Sequence, residues 1–120
     1  MSFYVFELPF PPSVNTYWRH VSIKGKRRTL ISERGRDYRE DVCQQIGKGI
    51  TALNSRLKVE IEAYMPDRRV RDLDNLPKSL LDSLTHAGVW ADDSLIDDLR
   101  IIRRGVESPG RVVVRVSPII

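Results

Sequence analysis

Asp72 and Asp74 stand two residues apart in the stretch Arg71-Asp72-Leu73-Asp74-Asn75-Leu76-Pro77-Lys78. In an extended segment that spacing turns both carboxylates the same way, so the pair could share one hard cation. Mg²⁺ uses one or two protein carboxylates and keeps positions for water and phosphate oxygens, the arrangement that phosphodiester hydrolysis requires. Short acidic residues also make turns and helix caps, and the spacing alone leaves the two readings level. Asp92 and Asp93 bring two more carboxylates after the next helix. If Asp93 joins Asp72 and Asp74, three like charges in a small volume call for a metal to hold them together. If it does not, Asp92-Asp93 is a solvated acidic turn. A calcium loop is excluded, because counting from Asp72 puts Leu76, Pro77 and Ser83 where an oxygen ligand, a glycine and a glutamate belong.

Lys78, one helical turn past Asp74, could reach a phosphate or a developing oxyanion. It could equally form an i,i+4 ion pair with Asp74 or Asp82. Arg68, Arg69 and Arg71 beside the carboxylates could grip a phosphate bidentately, or simply balance their charge. Upstream, Tyr17, Trp18, Arg19 and His20 lead into Lys24, Lys26, Arg27 and Arg28. Aromatics mixed with cations suit contact with a nucleic-acid backbone and stacking on unpaired bases; a solvated basic face is the plain alternative. His20 and His86 are isolated and lack zinc-ligand spacing. Neither a glycine-rich phosphate loop nor a serine or cysteine nucleophile motif is present, so no organic cofactor is expected.

These residues need elements to position them. Residues 2–8 read as a strand that Pro9, Pro11 and Pro12 terminate. The basic segment that follows reads as an exposed loop or short hairpin. Ser32 can cap a helix whose apolar positions are Tyr38, Val42, Ile46, Ile50 and Leu53. Leu57, Val59, Ile61 and Ala63 alternate with polar neighbours as a half-buried strand does. A second helix is expected with Asp74 as N-cap, Pro77 in its first turn, Gly88 as its stop and Leu76, Leu80, Leu81, Leu84 and Ala87 as its apolar stripe. Two strands, 99–104 and 111–117, are expected to be joined by a turn around Ser108-Pro109-Gly110. The order β-α-β-α-β-β implies a single α+β (mixed α/β) domain over 1–120, with about two helices on a mixed four-stranded sheet.

Bulk properties agree. At 120 residues, 41% apolar and 30% charged, the chain is the size of one soluble domain with one core. The opening Met1-Ser2-Phe3 lacks the features of a secretory signal, no apolar run suits a membrane, and Cys43 has no disulfide partner, so a cytoplasmic site is expected. The net charge of +4 is modest, but eight of twenty Lys and Arg fall between Arg19 and Arg39, and eight of ten Asp between Asp67 and Asp98. That segregation suggests one surface for a polyanion and one pocket for a cation.

Taken together, Leu8-Pro9-Phe10-Pro11-Pro12-Ser13 with Asn15, Tyr17 and Arg19-His20, then Met65-Pro66-Asp67-Arg68-Arg69, Arg71-Asp72-Leu73-Asp74-Asn75 and Lys78, then Gly88, Trp90 and Asp92-Asp93 resemble the RusA-type Holliday junction resolvases. The resemblance runs through nearly the whole chain. It implies a homodimeric endonuclease that binds four-way junction DNA and uses Mg²⁺, or Mn²⁺ in its place, to make paired nicks. It assigns Asp72, Asp74 and Asp93 to the metal and Lys78 to catalysis, with Asp92 assisting. Val14 and Val70 depart from the pattern and bear on DNA contacts more than on the chemistry. A basic DNA-binding module without activity, or a metal-dependent nuclease of other branched DNA, are the competing expectations.

Overall fold

A computed structural model describes residues 3–119. The chain runs β1 (Tyr4–Pro9), α1 (Val14–Tyr17), β2 (Trp18–Ile23), β3 (Lys26–Ile31), α2 (Glu33–Ile46), β4 (Leu57–Met65), α3 (Pro77–His86), β5 (Ile96–Val106) and β6 (Arg111–Pro118), with 3-10 turns at Leu73–Asn75 and Asp93–Leu95. The four expected strands form one mixed sheet in the order β1-β6-β4-β5, and α2 and α3 are the two expected helices. Ser2, expected to open the first strand, lies outside the described residues.

β4 anchors the sheet because its sequence alternates. Leu57, Val59, Ile61, Ala63 and Met65 are buried, while the residues between them are half-buried. β6 runs antiparallel to β4 and sets Val112, Val114 and Val116 opposite Ala63, Ile61 and Val59. β1 pairs antiparallel with the far edge of β6, and β5 lies parallel to β4. A parallel pair needs a long crossover, and α3 lies within it. Val42 of α2 and Leu80 and Leu84 of α3 are fully buried in a common core with these strand residues. Burying each such leucine stabilises the fold by about 1.5–3 kcal/mol. The opposite face of the sheet is polar: Glu62 pairs with Arg104 at 2.8 Å and with Arg115, and the Arg111 guanidinium lies 3.9 Å from the Tyr64 ring centre.

Two local expectations are corrected, and of the two forms expected for the basic segment the hairpin is the one found. The Ser32-capped helix forms, with Ser32 Oγ accepting from Gly35 N at 2.9 Å, but it ends at Ile46 rather than near Leu53. Gly47 at φ 80 breaks it, and Leu53 instead bridges to Trp90. Asp74 does not cap α3: the Leu73–Asn75 turn feeds directly into the helix through Leu76, with Pro77 at its first position. The basic segment is a hairpin, β2 against β3, introduced by α1, which is too short to show a period. Its two-residue turn, Lys24-Gly25, has φ of 52 and 76, the doubly positive geometry that matches strand twist.

The hairpin joins neither edge of the main sheet. Its base is fixed by Ser32, whose hydroxyl donates to the carbonyls of Thr16 (2.5 Å) and Tyr17 (3.0 Å). A Cβ at Gly35 would sit 2.5 Å from the Tyr17 carbonyl oxygen, so only glycine lets α2 approach this closely.

Candidate active site

The segment from Met65 to Lys78 leaves the end of β4, crosses an open loop and enters α3. Asp67 organises the loop. Its carboxylate accepts from the Arg69 backbone N–H at 2.9 Å and receives both terminal nitrogens of Arg71, at 2.5 and 3.1 Å. The Arg71 fork, then the Arg69 amide, hold the Asp67 carboxyl down at about 2. Arg71 also lies 5.8 Å from the Phe10 ring centre, and its carbonyl accepts from Arg103 at 2.5 Å. Of the three arginines expected to meet phosphate, Arg71 is the one bound bidentately to a neighbouring acid. Arg69, 83% exposed and only 3.8 Å from Asp67, and Arg68, exposed with no ion pair among the described residues, remain able to turn outward.

Asp72 is exposed and extended, with φ −84 and ψ 136, and its side chain makes no capping bond to the turn it precedes. Asp74 is exposed within that turn. Neither the cap role nor an ion pair engages either carboxylate among the described residues, in contrast to Asp67. The premise of a shared strand face fails, because Leu73–Asn75 is a 3-10 turn in which two residues span about two-thirds of a revolution.

Asp93 opens the second 3-10 turn and is exposed. The first turn runs directly into α3, and the second packs against that helix. Asp92 is engaged: its carboxylate accepts from the Ser94 hydroxyl and, at 3.3 Å, from the Ser94 N–H, and these bonds lower its pKa. Among the described residues, no set of three His, Cys, Asp or Glu side chains is gathered closely enough to hold a metal ion. What the structure offers is hard oxygen donors free of competing cations, of which Mg²⁺ needs one or two.

Lys78, the second residue of α3, is exposed and forms no ion pair among the described residues. Asp82, the partner its spacing suggested, is taken. It accepts from the hydroxyl of Tyr17, a fully buried residue, and pairs with Arg39 at 2.8 Å. Burial, and next the bond to Asp82, raise the Tyr17 pKa. This knot fastens α1 and α2 to α3. Spacing does not reveal it, since Arg39 and Asp82, far apart in the chain, look like ordinary surface charges.

A cleft of about 710 Å³ opens between the Pro9–Ser13 segment, α2 and the 65–72 loop. Asp72 and Asn75 line it; Asp74, Lys78 and Asp93 do not. Among its hydrophobic residues, Pro11 and Pro12 were legible as strand terminators and, with Phe10, as part of the family resemblance, but not as a cleft wall.

The hairpin carries the expected basic residues. From its register, Arg19, Arg28 and Lys26 share one face with Val21, Ile23 and Leu30, whereas Arg27 is on the other face beside His20 and Ser22. Lys24 sits in the turn. All five cations are exposed and without ion pairs among the described residues. A two-stranded ribbon of this kind fits a DNA groove.

The family model for Endodeoxyribonuclease RusA matches residues 9–117. A protein of Enterobacteria phage HK97, named Crossover junction endodeoxyribonuclease rusA, is 50% identical over 113 residues, covering 92% of this chain and 89% of that protein. Its namesake in Escherichia coli strain K12 is 40% identical over 119 residues, covering 98% and 96%. That of Enterobacteria phage 82 is 41% identical over the same coverage.

Proposed function

This chain belongs to the RusA family of endodeoxyribonucleases, and on that footing we propose that it is a Holliday junction resolvase, a hydrolase that makes paired symmetric nicks in four-way DNA junctions. The observation that carries the chemistry is the contrast among neighbouring acids: Asp67 and Asp92 are engaged, while Asp72, Asp74 and Asp93 are exposed and without ion pairs among the described residues. Their carboxylates would hold Mg²⁺, or Mn²⁺ in its place, an ion that needs only one or two protein carboxylates and fills its other positions with water and phosphate oxygens. Bound there, the ion would supply an activated water and neutralise charge on a non-bridging phosphate oxygen.

The chain's own residues do the rest. Lys78, kept unpaired because Arg39 and Tyr17 occupy Asp82, offers an ammonium to the charge that grows on the phosphate. Arg68 and Arg69 hold the DNA strand, and Arg71 with Asp67 keeps the loop in shape. Arg19, Lys24, Lys26, Arg27 and Arg28 meet the backbone of an arm of the junction. Cutting two opposed strands calls for two sites related by a twofold axis, which supports a homodimer. No helix among the described residues is long and apolar enough to cross a membrane, and DNA in the cytoplasm is the substrate this reading requires.

The test is incubation of a labelled synthetic four-way junction beside linear duplex of the same sequence, with Mg²⁺ and then with chelator. Metal-dependent cutting of the junction alone is expected. Tight junction binding without any cut would make the chain a binding module, and equal cutting of duplex would leave a nuclease of different substrate.

A further inference from the structure

The cleft beside Asp72 is far larger than one phosphate needs, and the reaction above uses only its edge. At about 710 Å³ it falls within the range of small-ligand pockets, roughly 300–1,000 Å³. We propose that it receives one unstacked nucleotide of the strand being cut, next to the phosphate served by Asp72. The proposal rests on the resolvase reading and adds to it a receptor for an unpaired base.

The lining is divided in the way a nucleotide is. Phe10, Pro11, Pro12, Pro66 and Leu76 give flat apolar contact, which suits the face of a base. This surface is held open and rigid. The Tyr38 hydroxyl donates to the Pro9 carbonyl at 2.8 Å, and the Ser79 hydroxyl to the Pro12 carbonyl at 2.8 Å. Gly110 passes so close beneath that a Cβ there would lie 2.9 Å from Pro66 Cβ and 3.0 Å from Phe10 Cβ.

The two rims differ in charge. On α2, Arg34, Asp37 and Asp41 line the cleft at helical-turn spacing, all exposed and without ion pairs among the described residues, and the two carboxylates leave this rim net negative. Carboxylates accept hydrogen bonds from the exocyclic amino groups of bases and repel phosphate. On the other rim stand Arg69 and Asp72. A nucleotide therefore enters with its base toward α2 and its phosphate toward Arg69 and the proposed metal ligands. A base stacked and paired in duplex cannot enter without first being extruded, whereas a branch point supplies bases that leave the stack at lower cost. The cleft thus contributes to the preference for junctions over duplex.

The experiment uses Asp74→Asn protein, so that no strand is cut, and junctions carrying 2-aminopurine, whose fluorescence rises when it leaves the base stack. Binding is followed in parallel by anisotropy of a dye on a distant arm. With the probe beside the cut position, fluorescence is expected to rise on binding; with the probe within an arm it is expected to stay low. Asp41→Trp, at an exposed helical position, fills the cleft and is expected to remove the rise and weaken binding about tenfold, the size of losing one stacked base. Asp37→Trp, one helical turn earlier on α2, is expected to do the same and guards against a misfolded first variant. Tight binding with a quenched probe at every position flanking the cut would overturn the cleft proposal and leave the resolvase reading standing. Absence of junction binding by anisotropy would overturn both.

Discussion

Replacing Arg39 by Met removes a guanidinium from the knot that fastens α2 to α3 while keeping most of the buried stem. The bond lost is a charge-assisted one to Asp82 at 2.8 Å, a class worth about 1.5–3 kcal/mol. Two features reduce that figure. The side chains of Arg39 and Asp82 are 24% and 34% exposed, so water replaces part of the contact. Arg39 Nε is buried without a partner among the described residues, a cost that the substitution removes. The expected destabilisation is therefore about 1–2 kcal/mol. Asp82→Ala is worse, about 2–3 kcal/mol, because it strands both the Arg39 cation and the hydroxyl of buried Tyr17. The double variant should cost less than the sum by about 1 kcal/mol or more. Urea unfolding of the four proteins, with unchanged slopes, measures these values. Independent, additive effects would refute the knot. The same series tests Lys78: with Arg39 gone, Asp82 can turn to Lys78 four residues earlier, but such pairs are worth only about 0.2–0.5 kcal/mol. The turnover rate of Arg39→Met should fall no more than about twofold.

Asp74→Asn should lose cleavage by more than the roughly 10–100-fold that changes in supporting residues cost, yet keep junction affinity, since removing a negative charge does not weaken a polyanion's grip. Loss of both in a folded protein would sink the ligand assignment. Carboxyl NMR should find Asp67 titrating near about 2, below its ordinary 3.8. Its contribution to stability is then complete above the ordinary value and fades as pH falls through about 2; Arg71→Gln should move the midpoint up, and an unmoved midpoint would refute the pairing. Lys26→Ala with Arg28→Ala should reduce the slope of log affinity against log salt by about two, and an unchanged slope would take the hairpin off the DNA.

Elements that bury one face were legible in detail, and those that bury none only as an exposed loop or short hairpin. β4 showed its alternation because every second side chain enters the core. The hairpin showed nothing comparable because both of its faces are largely solvated, so no burial pattern constrains its residue types. Ser32 was readable as a cap because its role is local, whereas Asp74 was misassigned because a 3-10 turn made a cap unnecessary. At the site, the identity of Asp72, Asp74, Asp93 and Lys78 was accessible from spacing and resemblance. Which neighbours leave them free was not: the partners in Asp67–Arg71 are close in sequence, but those in Arg39–Asp82 and Tyr17–Asp82 are joined only by the packing of helices.

The most direct measurement is on a supercoiled plasmid that extrudes a cruciform, incubated with the protein and Mg²⁺. Paired nicks across the junction within one bound complex convert the plasmid to linear molecules, and chelator stops the reaction. Accumulation of nicked circles without linear product, or linearisation that persists in chelator, would contradict a metal-dependent resolvase.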